Sequence, residues 1–454
     1  MKPKSTSMLE GPILPNIIRY TIPIILTSLL QVFYNAADLA IVGQFCGSLS
    51  VAAVGSTGSI TNLIINLFVG FSVGSGVAVA HGIGCNNKET VHRTVHTALP
   101  TALVSGLILT TLGLLLSRTF LQMMDSPANI IDMSTLYMRI YFCGTIFSMV
   151  YNFCASILRA AGDTKSPLIF LFISGLINVG LNIIFVTVLN MNVAGVALAT
   201  IISQAVSAIL VVRALMKRDD ACKLVLKDLR FYKHELLRII RIGLPAGIQG
   251  SLFAISNVVI QSSINSFGDV FVSGSAAASN LEGFVFVCLN AFHQTAVNFV
   301  GQNTGAKQHQ RVRKIYWTCL GCVAVIGIIL GCSVRIFGKQ LLGIYITDSD
   351  LAITYGLIRI TYTCIPYFLC GMMDVTTGAL RGLGSSVPPM IISIIGVCGI
   401  RLLWVYTIFQ IPSLHSPECL FFSYTVSWLT SFMIQLVVFL SLHNKIIRTQ
   451  TADI

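Results

Sequence analysis

Charged side chains are scarce in this sequence: they make up 10% of its 454 residues, whereas about a quarter is usual in soluble proteins. Hydrophobic residues make up 55%, and long apolar runs recur along the whole chain. Runs of about twenty residues cross a hydrocarbon core about 30 Å thick as helices, because only a helix satisfies its backbone groups there. The scarcity of charge therefore argues against an ordinary soluble fold and predicts a polytopic helical membrane protein.

Motifs of enzymatic chemistry are also missing. The chain has no G-x-x-x-x-G-K-[ST], H-E-x-x-H or G-x-S-x-G run and no spaced Cys/His ligand set. We therefore predict that it is not an enzyme and holds no cofactor. Most of the thirteen cysteines lie in apolar runs, which indicates packing rather than a disulfide framework. The N-terminus lacks a small-residue cleavage pattern, so we expect the first apolar run to be retained.

The apolar runs predict twelve membrane spans. With the N-terminus placed in the cytoplasm, 23 of the 29 lysines and arginines fall on the inner side. This asymmetry accounts for the net charge of +12 without nucleic acid and predicts a multi-pass cell-membrane protein with both termini cytoplasmic. The predicted spans are 17–43, 51–82, 94–117, 134–158, 166–188, 192–216, 239–266, 272–303, 315–337, 353–381, 387–410 and 419–443.

The two halves of the chain resemble each other. The segment Leu158-Arg159-Ala160-Ala161-Gly162 is echoed 222 residues later by Leu380-Arg381-Gly382-Leu383-Gly384. Six spans per half give both halves the same orientation, so the fold predicted is all-α, with two six-helix bundles related by a pseudo-twofold axis along the membrane normal. The predicted parts are an N-terminal lobe (1–216), a basic cytoplasmic linker (217–238) and a C-terminal lobe (239–454).

The basic stretch Arg213–Arg241 contains leucines interspersed with lysines and arginines. Two interpretations remain open for it. It is either an amphipathic helix on the membrane surface or a basic inner loop that holds the orientation of the chain.

Polar side chains inside the spans are functional candidates, because they are costly in lipid unless they face a cavity or a partner. At 1.5 Å per residue, four of them lie about 8 to 15 Å below the outer ends of their helices. These four are Asp38, Asn178, Asn182 and Thr200. We interpret Asp38 either as a proton or sodium switch or as a hydrogen-bonded structural residue.

The second half carries its own polar candidates. Glu282 is predicted to line a cavity as an anion for a cationic substrate, and Asp374 has either a structural or a secondary coupling role. Asp374, Asn257 and Gln261 are further candidates for the substrate cavity. Arg401 is a candidate partner for one of the acids, or else a packing cation. Because Ile260 follows Asp38 by 222 residues, coupling through Asp38 would make the halves unequal.

The order and spacing of these features resemble the multidrug and toxic compound extrusion (MATE) family, from about residue 12 to about residue 443. The resemblance is carried by Pro23 and Pro245 early in each half, by the segment 301–307 (GQNTGAK), and by the paired Leu-Arg-x-x-Gly segments. It implies two bundles around a central cavity that opens alternately to each side. It also implies export of cationic or amphipathic drugs in exchange for H+ or Na+.

The resemblance also suggests site residues. Asp38, Asn178 and Thr200 match the first-lobe cation site of the family, where Na+ is a possible occupant. Asn182 stands where many members carry a second aspartate, which implies a site with one carboxylate. We expect membrane lipids and small molecules as partners, no nucleic acid, and a monomer.

Three functional hypotheses follow. The first is an ion-coupled multidrug exporter. The second is a flippase for a lipid-linked precursor, which would need a strongly cationic cavity; the acids within the spans argue against it. The third is a receptor or channel, which a doubled chain of apolar spans makes less attractive.

Overall fold

The computed structural model describes residues 6–124, 126–347 and 349–452, and within these ranges it is helical and contains no strand. Ten helical segments are long and apolar enough to cross a membrane, and two bent helix pairs raise the number to twelve. The predicted all-helical membrane fold is confirmed. In chain order the helices are α1 (Ile13–Phe45), α2 (Ser48–Gly84), α3 (Lys88–Met123), α4 (Ile131–Cys143), α5 (Thr145–Ala160), α6 (Lys165–Ile183), α7 (Asn192–Met216), α8 (Lys233–Asn265), α9 (Asp269–Gly305), α10 (His309–Ile336), α11 (Gly338–Gly343), α12 (Asp350–Thr363), α13 (Tyr367–Gly382), α14 (Val387–Ser393), α15 (Ile400–Tyr406) and α16 (Pro417–Ala452).

Two of the predicted spans are bent rather than continuous. The span predicted at 134–158 consists of α4 and α5, which meet at Gly144 with a bend of 44°. The span predicted at 353–381 consists of α12 and α13, bent by 43°. Pro366 directly precedes α13, and a proline nitrogen has no hydrogen with which to continue the helical ladder. Hydropathy registers the length of such a segment but not its bend.

Two spans contain a widened helical turn that the sequence pattern did not predict. A π-helical segment, Ile184–Val188, continues α6, and a second one, Ile394–Gly399, joins α14 to α15. Short π segments are rare, and they occur frequently at functional sites. The first of them begins two residues after Asn182, so it lies directly beside the predicted cation site.

Contacts divide the described residues into two compact units. Unit 1 comprises residues 6–7 and Ile22–Ser251, and unit 2 comprises Met8–Thr21 and residues 252–452. A buried apolar cluster of unit 1 joins α2, α3, α4, α5 and α7, whereas a cluster of unit 2 joins α9, α11 and α12. None of the thirteen cysteines, all of which lie among the described residues, forms a disulfide bond.

The contact-based units differ from the predicted lobes at the first helix of each half. The start of α1 belongs to unit 2, where Tyr20 packs edge-on against Phe299 and the hydroxyls of Thr21 and Thr295 lie 2.8 Å apart. The start of α8 belongs to unit 1, and the division falls after Ser251 rather than near residue 239. A hydropathy pattern assigns each helix as a whole to one lobe, whereas α1 and α8 are each divided between the two units.

The start of α8 lies in unit 1 because its backbone approaches α2 very closely. A Cβ atom added to Gly70 would lie 2.3 Å from the backbone nitrogen of Gly247, and one added to Gly74 would lie 2.3 Å from the carbonyl oxygen of Ile239. Small residues permit such close helix contacts inside membranes. The first part of α8 is therefore held by backbone packing that larger side chains would prevent.

The connector between α7 and α8 is not a membrane-surface helix. Between Met216 and Lys233 the only helical turn is the short 3-10 segment Leu226–Asp228. Leu224 is 2% exposed while Leu226 is 52% exposed, so the leucines do not form a single apolar face. Of the two interpretations of this stretch, the structure favours the basic loop.

Arg218 and Asp220 brace this connector. Arg218 Nε donates to both carboxylate oxygens of Asp220, at 2.9 and 3.1 Å, and the backbone N–H of Cys222 donates to Asp220 Oδ1 at 3.0 Å. Burial raises the pKa of Asp220, but the hydrogen bond and charge of Arg218 outweigh it and leave that pKa below its usual value. The ion pair therefore contributes its full stability above the pKa that Asp220 has in the unfolded chain. This stability is lost as the pH falls through the lower pKa of Asp220 in the folded protein.

We expect Asp220→Asn to expose the thiol of Cys222. In the wild-type protein this thiol is 2% exposed, and burial raises its pKa to about 12, so it reacts slowly with maleimides at neutral pH. The variant loses the charge that holds Arg218, and the reaction at Cys222 accelerates. Peptide mass spectrometry measures the rate, with the exposed Cys85 as an internal control. Equal Cys222 rates in both proteins would show that Asp220 does not brace the connector.

Candidate cation site

The first helix is seated on α6 by a close contact next to Asp38. The hydroxyl of Tyr34 donates to the carbonyl oxygens of Leu171 and Phe172, at 3.2 and 3.3 Å. The Tyr34 ring occupies the space above Gly175, where an added Cβ atom would lie 1.7 Å from the ring carbon Cζ. Asp38 follows Tyr34 by one helical turn on the same face, so this contact positions its carboxylate against α6.

The structure brings the four predicted residues of the first half together in unit 1. Asn182 Nδ2 donates to Asp38 Oδ1 at 2.5 Å and to Asn178 Oδ1 at 3.2 Å. Asn178 Nδ2 in turn lies 3.5 Å from Thr200 Oγ1, and the Thr200 hydroxyl donates to the carbonyl oxygen of Val196 at 3.0 Å. The side chains thus form one connected polar cluster between α1, α6 and α7.

One oxygen of this cluster has no partner among the described residues. Asn182 is fully buried, and no hydrogen bond reaches its Oδ1 atom. An unsatisfied buried acceptor costs about 1 to 3 kcal/mol, so it is normally matched by a donor or a cation. The cluster also contains the carboxylate of Asp38 and the hydroxyl of Thr200, and oxygens of these kinds are ligands that hard cations prefer. In the structure, the Asn182 amide turns its Nδ2 atom, not Oδ1, toward the Asp38 carboxylate.

Two tyrosines on α4 adjoin the cluster and were not identified from the sequence. Tyr137 and Tyr141 stack with ring centroids 6.1 Å apart, and both lie near the charge of Asp38. Their i, i+4 spacing indicates that the two tyrosines share one face of α4, but it does not reveal which helix that face contacts.

The close fit of Tyr34 over Gly175 gives a test of the geometry. We expect Gly175→Ala to displace the Tyr34 ring, separate α1 from α6 and weaken the Asp38–Asn182 contact, at an overpacking cost of about 1 to 3 kcal/mol. Drug efflux from cells and thermal unfolding in detergent measure the two effects.

Gly180→Ala is the matched control, because it lies in the same helix and an added Cβ atom meets nothing within 4 Å. Normal efflux and stability in Gly175→Ala alone would contradict the packing argument.

In unit 2, Glu282 is bound by an arginine and does not present the free carboxylate predicted for a substrate cavity. Arg359 donates from Nε and Nη2 to the two carboxylate oxygens, each at 2.8 Å, and from Nη1 to the Ser275 hydroxyl at 2.7 Å. Thr363 donates to the same carboxylate at 2.5 Å. Glu282 and Arg359 are only 7% and 6% exposed, so the ion pair is buried.

Arg401, the suggested partner of an acid, is held by other groups. Its Nε atom donates to the Ser427 hydroxyl at 3.1 Å, and its guanidinium carbon lies 3.9 Å from the ring centroid of Tyr424 and 5.7 Å from that of Trp428. Such cation–π contacts stabilise a desolvated cation by about 2 kcal/mol. The buried acid of α9 is therefore paired with Arg359 and not with Arg401.

Asp374 lies in a separate polar group on α13. The side chain is 8% exposed and lies near the charge of Arg381 two turns along the helix. His293 links the two residues: its Nδ1 lies 2.7 Å from the backbone oxygen of Asp374, and its Nε2 lies 3.2 Å from Arg381 Nη1. Because arginine can only donate, Nε2 is the acceptor and Nδ1–H is the donor.

The other predicted cavity residues lie on an exposed polar face of unit 2. Asn257 and Gln261 are exposed on α8, and Gln261 Nε2 donates to Asn265 Oδ1 at 3.0 Å. Asn280 on α9 is exposed as well. Unit 1 has amides of the same kind on α1 and α2, namely Gln31, Asn35, Asn62 and Asn66. Exposed amides on spanning helices indicate faces in contact with water rather than lipid.

A helical membrane protein with a repeated half and a polar cluster buried within its spans has the architecture of a secondary transporter. The family model described as MatE matches residues 23–184 and again residues 245–407. The chain therefore belongs to the MatE family of multidrug efflux transporters. The family predicted from the sequence is confirmed, and the two matched segments coincide with the internal repeat.

Relatives and solved structures agree with this assignment. YpnP of Bacillus subtilis strain 168, a probable multidrug resistance protein, is 27% identical over 400 residues, covering 88% of this chain and 89% of YpnP. YoeA of the same organism, also a probable multidrug resistance protein, is 26% identical over 391 residues and 84% of each chain. A crystal structure of MATE in complex with MaL6 matches with a TM-score of 0.91 at 20% identity, covering 98% of this chain and 100% of that chain.

Proposed function

We propose that this protein is a secondary active exporter that exchanges cationic or amphipathic compounds for protons or sodium ions. The observation that carries the proposal is the cluster of Asp38, Asn178, Asn182 and Thr200 in unit 1. It places one ionisable group among neutral oxygen and nitrogen atoms. The net charge of the cluster therefore changes by one unit each time a monovalent cation binds to it or leaves it.

Asp38 is the group that takes up the ion. A proton would bind directly to its carboxylate, whereas Na+ would be held by that carboxylate together with the oxygens of Asn178, Asn182 and Thr200. The unpartnered Asn182 Oδ1 supports the fit, because this atom gains a partner when a cation binds. Either ion would remove the uncompensated negative charge from the interior of unit 1.

Transport requires that ion and substrate favour different conformations. A ligand shifts a conformational equilibrium only through its differential affinity for the two states. The Asp38 cluster joins α1 to α6 and α7, so neutralising its charge changes how firmly these helices attract one another. We infer that the ion acts through the position of α1 against α6, which the Tyr34–Gly175 contact also determines.

Drug recognition relies on uncharged groups. The exposed amides of α8 and α9 supply hydrogen bonds, while Glu282 is neutralised by Arg359. Such surfaces accept compounds that differ in shape and charge, because no fixed carboxylate demands a partner. The flippase alternative is not favoured, since the buried arginines Arg359 and Arg381 are already bound by Glu282 and His293.

Purified protein in proteoliposomes provides the test. We expect a dye such as ethidium to be expelled when either a pH gradient or a sodium gradient is imposed, and addition of the dye to stimulate movement of the coupling ion. Comparing the two gradients separately identifies that ion. Dye movement that follows neither gradient, or lipid-precursor translocation without dye movement, would refute the proposed antiport.

A further inference from the structure

Two histidines and an aspartate converge at the connector end of unit 1, far along the chain from the Asp38 cluster. His92 and His96 are one turn apart on α3, and Asp228 belongs to the 3-10 turn of the connector. One nitrogen from each histidine and one oxygen of Asp228 all lie within 4.8 Å of one another. His92 Nε2 is 3.4 Å from Asp228 Oδ2, and the two imidazole rings have centroids 3.9 Å apart.

We propose that His92, His96 and Asp228 form a binding site for a divalent transition-metal ion such as Zn2+. Imidazole and carboxylate are the ligands that Zn2+ takes from nitrogen and oxygen donors, with bonds of about 2.0 to 2.2 Å. Histidines at i and i+4 project from the same side of a helix, so both reach a single ion. A solvent molecule completes the fourth position of a tetrahedral site.

The tautomer of His96 is already the one that a metal requires. His96 Nδ1 lies 2.7 Å from the carbonyl oxygen of His92, while Nε2 lies 2.9 Å from the backbone nitrogen of Val225. Nδ1 therefore carries the hydrogen, and Nε2 keeps its lone pair. A metal-bound histidine commonly donates its other N–H to a backbone carbonyl in this way, which fixes the orientation of the ring.

The three ligands differ in their exposure to solvent and in how far their side chains can move to bind an ion. His96 is buried, whereas the side chains of His92 and Asp228 are 37% and 47% exposed. The exposed pair can rotate by the ångström or so needed to bring all three donor atoms within bonding distance of one ion. The metal takes the place of the Val225 N–H at Nε2, so its binding alters the connector.

The consequence is a metal-dependent tie between α3 and the connector that joins the two halves of the chain. Without the ion, Val225 and His96 hold the connector through one neutral hydrogen bond. When the ion is bound, Asp228 of the connector and both histidines of α3 coordinate the same metal, so three coordinate bonds link the connector to α3. The inference does not depend on the transport activity, because the site is formed by residues separate from the Asp38 cluster.

Zn2+ binding to the full-length protein in detergent tests the site, with a purification tag that contains no histidine. Isothermal titration calorimetry gives the affinity and stoichiometry, and substitution with Co2+ gives a visible absorption spectrum that reports ligand type. We expect His92→Ala and Asp228→Asn each to weaken binding at one site by at least about tenfold, since even outer partners of metal ligands contribute about 10- to 100-fold. Both substitutions are at half-exposed positions that unit 1 does not need for packing.

His234→Ala is the matched control, because His234 lies near the same connector with its side chain 89% exposed. It should bind Zn2+ as the wild-type protein does. Equal affinity and stoichiometry in the wild type, His92→Ala and Asp228→Asn would overturn the proposal. A Co2+ spectrum with thiolate charge-transfer bands that these substitutions leave unchanged would also overturn it, since the metal would then be bound by cysteines.

Discussion

We expect efflux driven by an ion gradient to fall to the background level when Asp38 is replaced by asparagine. The substitution keeps the size of the side chain and an oxygen that accepts the hydrogen bond from Asn182, so the cluster stays packed. It removes the only ionisable group among Asp38, Asn178, Asn182 and Thr200. Without a charge to neutralise, the two ion-dependent states have nothing to distinguish them, and the gradient no longer drives transport.

The measurement for Asp38→Asn has three parts. Dye efflux in proteoliposomes reports transport, dye-stimulated ion movement reports coupling, and fluorescence-detected gel filtration reports abundance and folding. We expect the first two to be lost and the third to change little, because a neutral acceptor replaces a charged one at a cost of about 1 kcal/mol.

Asp132→Asn is the control for Asp38→Asn. Asp132 lies in the same unit and pairs with Arg118 at 3.1 Å, but its side chain is 79% exposed. An exposed pair of this kind contributes at most about 1 kcal/mol, so efflux should remain normal. Gradient-driven efflux that persists in Asp38→Asn would assign coupling to another residue.

Removing Arg359 destabilises unit 2 more than any other single change considered for this protein. Arg359→Met leaves the Glu282 carboxylate buried at 7% exposure without its cation, and breaking a buried pair in this way costs about 3 to 5 kcal/mol. We expect a large drop in the thermal midpoint in detergent and a loss of protein from the membrane. Arg335→Met is the control, because Arg335 is exposed and donates to Thr361 alone.

The double substitution Glu282→Leu with Arg359→Met tests whether this ion pair is structural or belongs to a substrate-binding site. Replacing both charges by apolar groups of similar size removes the unpaired charge, so most of the lost stability should return. If the pair is structural, the double variant also keeps its affinity for cationic dyes, measured by fluorescence quenching. A double variant that is stable but binds cationic dyes much more weakly would instead restore the substrate role predicted for Glu282.

The polar cluster around Asp38 was predictable because its members are determined locally. Asp38, Asn178, Asn182 and Thr200 are polar residues in apolar segments, and counting 1.5 Å per residue placed them at similar depths. The structure brings the four together, although the depth count did not reveal that Asn182, rather than Thr200, makes the shortest contact with Asp38. The neighbouring tyrosines of α4 escaped notice because a phenol near mid-span is also an ordinary packing residue.

The pairing of Glu282 was not predictable from the pattern. Glu282 is separated from Arg359 by 77 residues, and the partner that the sequence suggested for an acid was Arg401. Arg359 lies within the span predicted at 353–381, which indicates a position in a membrane helix but not the face of α12 on which it lies. Only the packing of α12 against α9 brings the two charges within 2.8 Å.

The sequence by itself determined the helical membrane class, the number of possible spans, the repeat and the location of the polar candidates. These follow from local rules, since in hydrocarbon each segment must satisfy its own backbone hydrogen bonds. The tertiary structure alone decided the bends between α4 and α5 and between α12 and α13, the sharing of α1 and α8 between units, the loop conformation of the connector and the partners of the buried charges. All of these depend on which helix faces meet, and that is settled by packing between residues far apart in the chain.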